Sequence, residues 1–194
     1  MAYDEIRNNT VLFGGADNIT GGSLTDTWIW DGTDWTHVTP ATTPPVLNTA
    51  SFAWDNTHGY VLSWGGTPST TRTWKWDGTD WTSFSPIHHP SGYETAGLVD
   101  WRVGGKVLEF GGTNRDSGVI DYNETWTWSG TDWVEIFPVD NPSARNDVQL
   151  AYDFTRDQVV LFGGNAAGFS LDDTWVYMQP PAGAYHLENV MPLT

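Results

Sequence analysis

Trp28-Ile29-Trp30-Asp31-Gly32-Thr33-Asp34-Trp35 returns almost unchanged as Trp74-Lys75-Trp76-Asp77-Gly78-Thr79-Asp80-Trp81, and again as Trp126-Thr127-Trp128-Ser129-Gly130-Thr131-Asp132-Trp133. Aromatic residues alternate with others before the glycine, the two-residue period of a strand with unlike faces. The Asp-Gly or Ser-Gly step then signals a tight turn, because glycine accepts the positive φ such turns need. The stretch reads as a β-hairpin repeated along the chain. A fourth copy, Thr174-Trp175-Val176-Tyr177, keeps the strand but lacks the Asp-Gly turn and the second tryptophan.

Upstream of each hairpin an apolar run ends in paired glycines: Val11-Leu12-Phe13-Gly14-Gly15, Val61-Leu62-Ser63-Trp64-Gly65-Gly66, Val107-Leu108-Glu109-Phe110-Gly111-Gly112 and Val159-Val160-Leu161-Phe162-Gly163-Gly164. The first glycines are spaced by 51, 46 and 52 residues. Tyr3, Trp54 and Tyr152, in the motifs Ala2-Tyr3-Asp4, Ala53-Trp54-Asp55 and Ala151-Tyr152-Asp153, each stand eleven residues before such a glycine. Each repeat is therefore predicted to be a four-stranded antiparallel meander, with units at about 1–40, 46–87, 92–138 and 146–190 in one domain. The third repeat departs from the pattern, reading Val99-Asp100-Trp101 with aromatic and acid exchanged.

These motifs resemble the kelch-repeat family, especially bacterial-type kelch repeats, over about residues 1–179. The resemblance implies an all-β fold: a kelch-type β-propeller of four blades, similar to the central domain of galactose oxidase. Trp28, Trp30, Trp74, Trp76, Trp126, Trp128 and Trp175 are expected to pack between blades, with Gly14, Gly15, Gly65, Gly66, Gly111, Gly112, Gly163 and Gly164 as structural glycines. Ring closure is open to three readings: a small four-bladed ring, two half-rings paired, or a piece of a longer propeller, as the abrupt Met1 suggests. In the first, the tail from Ala184 to Val190 supplies the fourth blade's outer strand.

Twenty-four Asp and Glu against eight Lys and Arg give a formal charge of −16, which repels phosphate backbones and anionic bilayers. Nucleic acid is not an expected partner, and no apolar run reaches the length of a membrane span. The chain has no cysteine, hence no disulfide and no thiolate chemistry. The start is not a signal peptide, and the compartment stays open, with an extracellular or particle-surface setting slightly favoured.

No cofactor or metal is expected. The glycine pairs end strands without a following Gly-Lys-Ser/Thr, so they read as close backbone approach and not as a phosphate loop. The Asp-Gly-Thr-Asp turns lack the acid spacing of a calcium loop. Adjacent His88 and His89 point opposite ways in an extended segment, which does not favour a shared ion. Catalysis is not expected: kelch-like copper oxidases need a cysteine, and the Asp four residues before His that marks the plant specifier proteins is absent.

The hairpin turns are near copies, whereas the loops joining strands two and three, and the connectors between repeats, differ. Loops on a rigid scaffold carry function. The candidates for ligand contact are Arg72, Arg115, Tyr122, Arg145 and Phe169. Three readings follow: a protein-binding or scaffolding module, a module for neutral carbohydrate, and a structural or decoration subunit that self-associates in a larger extracellular or virus-like assembly.

Overall fold

A computed structural model describes residues 1–17, 19–68, 72–116, 118–178 and 186–190. Among them every regular element is a strand. Sheet I holds β1 (Ala2–Asp4), β2 (Asn9–Ala16), β3 (Ser23–Trp30) and β4 (Trp35–Val38), paired antiparallel in chain order. A short β5 (Leu47–Asn48) precedes sheet II, made of β6 (Ser51–Asp55), β7 (Tyr60–Trp64), β9 (Thr73–Trp76) and β10 (Trp81–Phe84), with β8 (Thr67–Pro68) outside it. Sheet III holds β11 (Gly97–Trp101), β12 (Lys106–Phe110), β15 (Thr125–Trp128) and β16 (Trp133–Ile136); β13 (Thr113–Asn114) and β14 (Ile120–Asp121) form a side hairpin. Sheet IV holds β17 (Gln149–Asp153), β18 (Gln158–Phe162), β21 (Thr174–Met178) and β22 (His186–Val190), with β19 (Asn165–Ala166) and β20 (Phe169–Ser170) as its side hairpin. The tail does supply the fourth sheet's outer strand, with Val176 opposite Glu188; Ala184 and Tyr185 lie outside the described residues.

The Asp-Gly turns form as their chemistry dictates. Trp30 faces Trp35 across the first, where Asp31 Oδ1 accepts from the backbone N–H of Thr33 at 2.7 Å and of Asp34 at 2.9 Å. These bonds hold the Asp31 carboxyl below its ordinary range. Gly32, Gly78 and Gly130 have φ of 98°, 101° and 96°. The acid that ends β1 and β6 caps its own turn: Asp4 binds the N–H of Arg7 and its guanidinium, and Asp55 does the same with His58.

The sheets pack in chain order, with β1 beside β6, β6 beside β11 and β11 beside β17. Val11 and Phe13 of sheet I pack against Trp54, Val61, Trp74, Trp76 and Trp81 of sheet II. The opposite face of sheet II, with Tyr60, Leu62 and Trp64, meets Val107, Trp126, Trp128 and Trp133 of sheet III. Trp101 and Leu108 of sheet III meet Val159 and Tyr177 of sheet IV. The aromatic pair of sheets II, III and IV thus faces the sheet before it. Trp74, Trp76, Trp126 and Trp128 are buried, whereas Trp28, Trp30 and Trp175 are only half-buried. No described sheet packs on the face that carries Trp28 and Trp30.

The second hairpin tryptophan adds a hydrogen bond across the first two of the three joints. Trp81 Nε1 donates to Thr27 Oγ1 at 3.0 Å and Trp133 Nε1 to Thr73 Oγ1 at 3.3 Å. Both indoles are 1% exposed, while Trp35 of sheet I is 39% exposed. Sheet IV lacks this tryptophan, and Thr125 Oγ1, the corresponding acceptor, is buried without a hydrogen bond among the described residues. The exchange of Asp100 and Trp101 places the indole on the face toward sheet IV, where it packs edge-on against Tyr177 at 5.1 Å.

Glu109 is fully buried, its two carboxylate oxygens unbonded among the described residues; burial, reinforced by the charge of Glu124, pushes its carboxyl well above the usual range. The folded state then holds a proton that the unfolded chain releases, so stability falls as pH rises above about 4.5. Melting curves of Glu109→Gln between pH 4.5 and 8 should show the variant gaining on the wild type as pH rises. Trp81→Phe and Trp133→Phe should each cost about 1 kcal/mol for the lost bond, and the alanine variants about 3–5 kcal/mol, in urea unfolding. Trp35→Phe should stay within about 0.5 kcal/mol of wild type at low protein concentration.

Candidate binding face

The glycine pairs organise one end of the sheets. All eight residues have positive φ. In sheet II, Gly65 donates its N–H to Arg72 O and Gly66 to Tyr93 O; in sheet III, Gly111 donates to Glu124 O and Gly112 to Arg145 O. The two amides thus tie the loop between strands two and three and the connector to the same strand end. A Cβ on Gly65 would overlap the Tyr93 carbonyl, and one on Gly66 would lie 2.9 Å from Leu47 Cα. Only glycine supplies both the conformation and the clearance.

Above these pairs, loop and connector join by short ladders. Asn48 pairs with Thr67, Glu94 with Thr113 and Asn146 with Asn165. Each connector then turns into the innermost strand through a non-glycine residue with left-handed φ: Thr49 at 64°, Thr95 at 54° and Asp147 at 52°. Such a conformation costs roughly 1–3 kcal/mol per residue and persists only where the surroundings over-determine it. The three residues border a cavity of about 340 Å³ at the mouths of β6, β11 and β17, lined further by Ser51, Phe52 and Gln149. Thr95 donates its N–H to Thr49 O at 3.0 Å, and its hydroxyl is buried without a bond among the described residues. The lining is rich in hydrogen-bonding groups.

Arg72 and Arg115, far apart in sequence, each reach across between the loop after β12 and the connector before β11. The Arg72 guanidinium lies 3.8 Å from the centre of the Tyr93 ring and reaches Asp116 at 3.6 Å. Tyr93 donates its hydroxyl to Asn114 Oδ1 at 2.9 Å, and Arg115 pairs with Glu94 at 3.0 Å. Arg72 also breaks a pattern. At the equivalent position Asp26, Glu124 and Asp173 accept the indole N–H of Trp28, Trp126 and Trp175. Sheet II alone carries a cation there.

The other three candidates separate. Tyr122 is half-buried and serves the backbone, donating its N–H to Gly112 O and accepting from the Arg145 N–H. Phe169 is exposed on the side hairpin of sheet IV. Arg145 is not presented to a ligand: it is 1% exposed, its guanidinium bound to both Asp173 oxygens at 2.6 and 2.8 Å, to Gly163 O and to Ser143. It ties a connector to the glycine pair of sheet IV.

Among the described residues no group of three His, Asp or Glu is placed to hold a metal ion. His88 Nδ1 lies 2.8 Å from Asp132 and His89 Nδ1 lies 3.0 Å from Pro90 O, so the adjacent histidines address different partners. Thr49, Thr95 and Asp147 carried no motif in the sequence; their one signal is their place two residues before β6, β11 and β17. No protein-family model matches the chain, and no curated protein matches its sequence.

The Arg145 bond is the first cause holding Asp173 below its ordinary carboxyl range. Its contribution is therefore present above the unfolded Asp value near 3.8 and is lost as pH falls through the lower folded value. Arg145→Ala should cost about 3 kcal/mol at pH 7 and, in urea titrations across pH 2–5, lose less further stability on acidification than the wild type.

Proposed function

We propose that the chain is a kelch-type β-propeller unit of four blades that acts without catalysis, as a protein-binding or scaffolding module, through the face formed by its loops and connectors. Four successive antiparallel meanders, packed in chain order with adjacent innermost strands, support the propeller reading. The observation that carries the binding reading is the contrast between the two ends of the sheets. The turns between strands three and four of sheets I to III are near copies, while the loops at the other end are unlike in sequence and hold Ile19, Val119, Ile120 and Phe169 in solvent; Ile6, Val103 and Phe154 are also exposed, on the turns between strands one and two. Exposed apolar residues on loops held by a stiff base suit a partner surface that covers them.

The cluster of Arg72, Tyr93 and Arg115 supplies the polar component. Its cations stand out on a chain of charge −16, and arginine with tyrosine is the pairing enriched where binding energy concentrates. The cavity bordered by Thr49, Thr95 and Asp147 accommodates a partner's side chain with polar atoms for Thr49, Thr95 and Gln149.

A photo-crosslinking residue at position 169 or 119 should trap a discrete protein from the native source, and one at Thr131 on the hairpin end should not. Ile19→Ser and Ile120→Ser should each weaken that capture about tenfold or more without lowering the melting temperature. Equal capture from both ends, or capture indifferent to both substitutions, refutes the reading.

A further inference from the structure

The two inner joints of the hairpin end are built alike. Between sheets I and II, Trp81 donates to Thr27, the backbone N–H of Thr42 donates to Asp80 at 2.7 Å, and the Arg7 side chain covers Gly78 so closely that a Cβ would overlap it. Between sheets II and III, Trp133 donates to Thr73, the N–H of His88 donates to Asp132 at 2.9 Å, and His58 covers Gly130 in the same manner. A joint therefore has a front, the tryptophan, acid and glycine of one hairpin. Its back is a threonine and the basic residue three positions after a turn acid, as Arg7 follows Asp4 and His58 follows Asp55.

Sheet I carries a front that nothing described fills. Trp35 is 39% exposed, Asp34 Oδ1 accepts from the N–H of Trp35, its own neighbour, and no atom lies within 4 Å of a Cβ built on Gly32. Tyr3 is exposed on the same face. Sheet IV carries the matching back, also unfilled. Thr174 stands where Thr27 and Thr73 stand, Arg156 follows Asp153 by three positions with its side chain 69% exposed, and Phe162 is 55% exposed. Phe110, the counterpart of Phe162 in sheet III, is 1% exposed because sheet IV covers it.

We propose that the front of sheet I receives the back of sheet IV from a second copy of this chain. In that joint Trp35 donates to Thr174, Arg156 lies over Gly32 beside the carboxylates of Asp31 and Asp34, and Phe162 is covered by the face of Trp28 and Trp30. The charges complement one another, cation against two acids, and the joint continues the packing of sheets I to IV with the same residue types. Front and back stand open on the same molecule, so the contact is head-to-tail and propagates until it closes into a ring of copies.

Light scattering after size exclusion, over a concentration series, tests this with three single variants. Trp35→Glu disables the front; Phe162→Glu and Arg156→Asp each disable the back. All three positions are solvent-exposed, and circular dichroism at low concentration checks the fold. The wild-type chain should form species above 21.5 kDa that grow with concentration. Each variant alone should stay a single chain or associate at least tenfold more weakly. Trp35→Glu mixed with either back variant should give a species of twice 21.5 kDa and nothing larger, because one intact front then meets one intact back. A wild-type chain that stays single at every soluble concentration overturns the proposal. So does a mixture that stays single, or a back variant that associates as the wild type does, which would mean that like faces meet.

Discussion

Each of sheets II, III and IV buries its aromatic face against the back of the sheet before it, and most of the molecule follows from that contact. A sheet of four short strands has two apolar faces that it cannot bury alone. Stacking in chain order covers the back of one unit with the tryptophans of the next. Indole suits the task because it fills a wide gap and carries one N–H, which Trp81 and Trp133 spend on Thr27 and Thr73. The result is a set of joints with polarity: a front and a back that are not interchangeable. Polarity of this kind leaves one unlike face at each end, which is why the exposed Trp35 and the exposed Phe162 belong to one description.

The second constraint lies at the other end of the sheets, in the paired glycines. Two consecutive amides in the left-handed region point apart and bind two different chain segments. In sheets II and III that arrangement anchors loop and connector at their base while leaving the loop's content unrestricted. A constant base with variable tips separates folding from recognition, so Ile19, Val119 and Phe169 can stand in solvent without weakening the sheets beneath them.

Where the repeat departs from itself, the structure compensates locally. Sheet IV has no second hairpin tryptophan, and the exchanged Trp101 of sheet III turns its indole toward sheet IV to meet Tyr177. The exchange follows from strand geometry: moving the aromatic by one residue moves it to the other face. Arg72 is a departure of another kind. Its position elsewhere holds an acid that binds an indole, and here the cation turns to Tyr93 and joins Arg115 through a loop of the next sheet.

The sequence by itself determined the strands, their antiparallel pairing, the turns and the role of the glycines, because these depend on near neighbours: a two-residue period, a carboxylate two residues before an N–H, a residue without Cβ. It also offered the tail as the outer strand of sheet IV, one of three open readings, and the pairing of Thr174–Met178 with His186–Val190 supplied that strand. Only the tertiary structure decided which side chains a ligand can reach. Arg145 and Arg115 look alike in the chain, yet one is enclosed by Asp173, Gly163 and Ser143 and the other stands half in solvent on Glu94. Trp35 and Trp81 sit in identical octapeptide endings, and one is exposed while the other is buried. Burial belongs to the contact between sheets, and no residue's immediate neighbours along the chain encode whether another sheet lies against it.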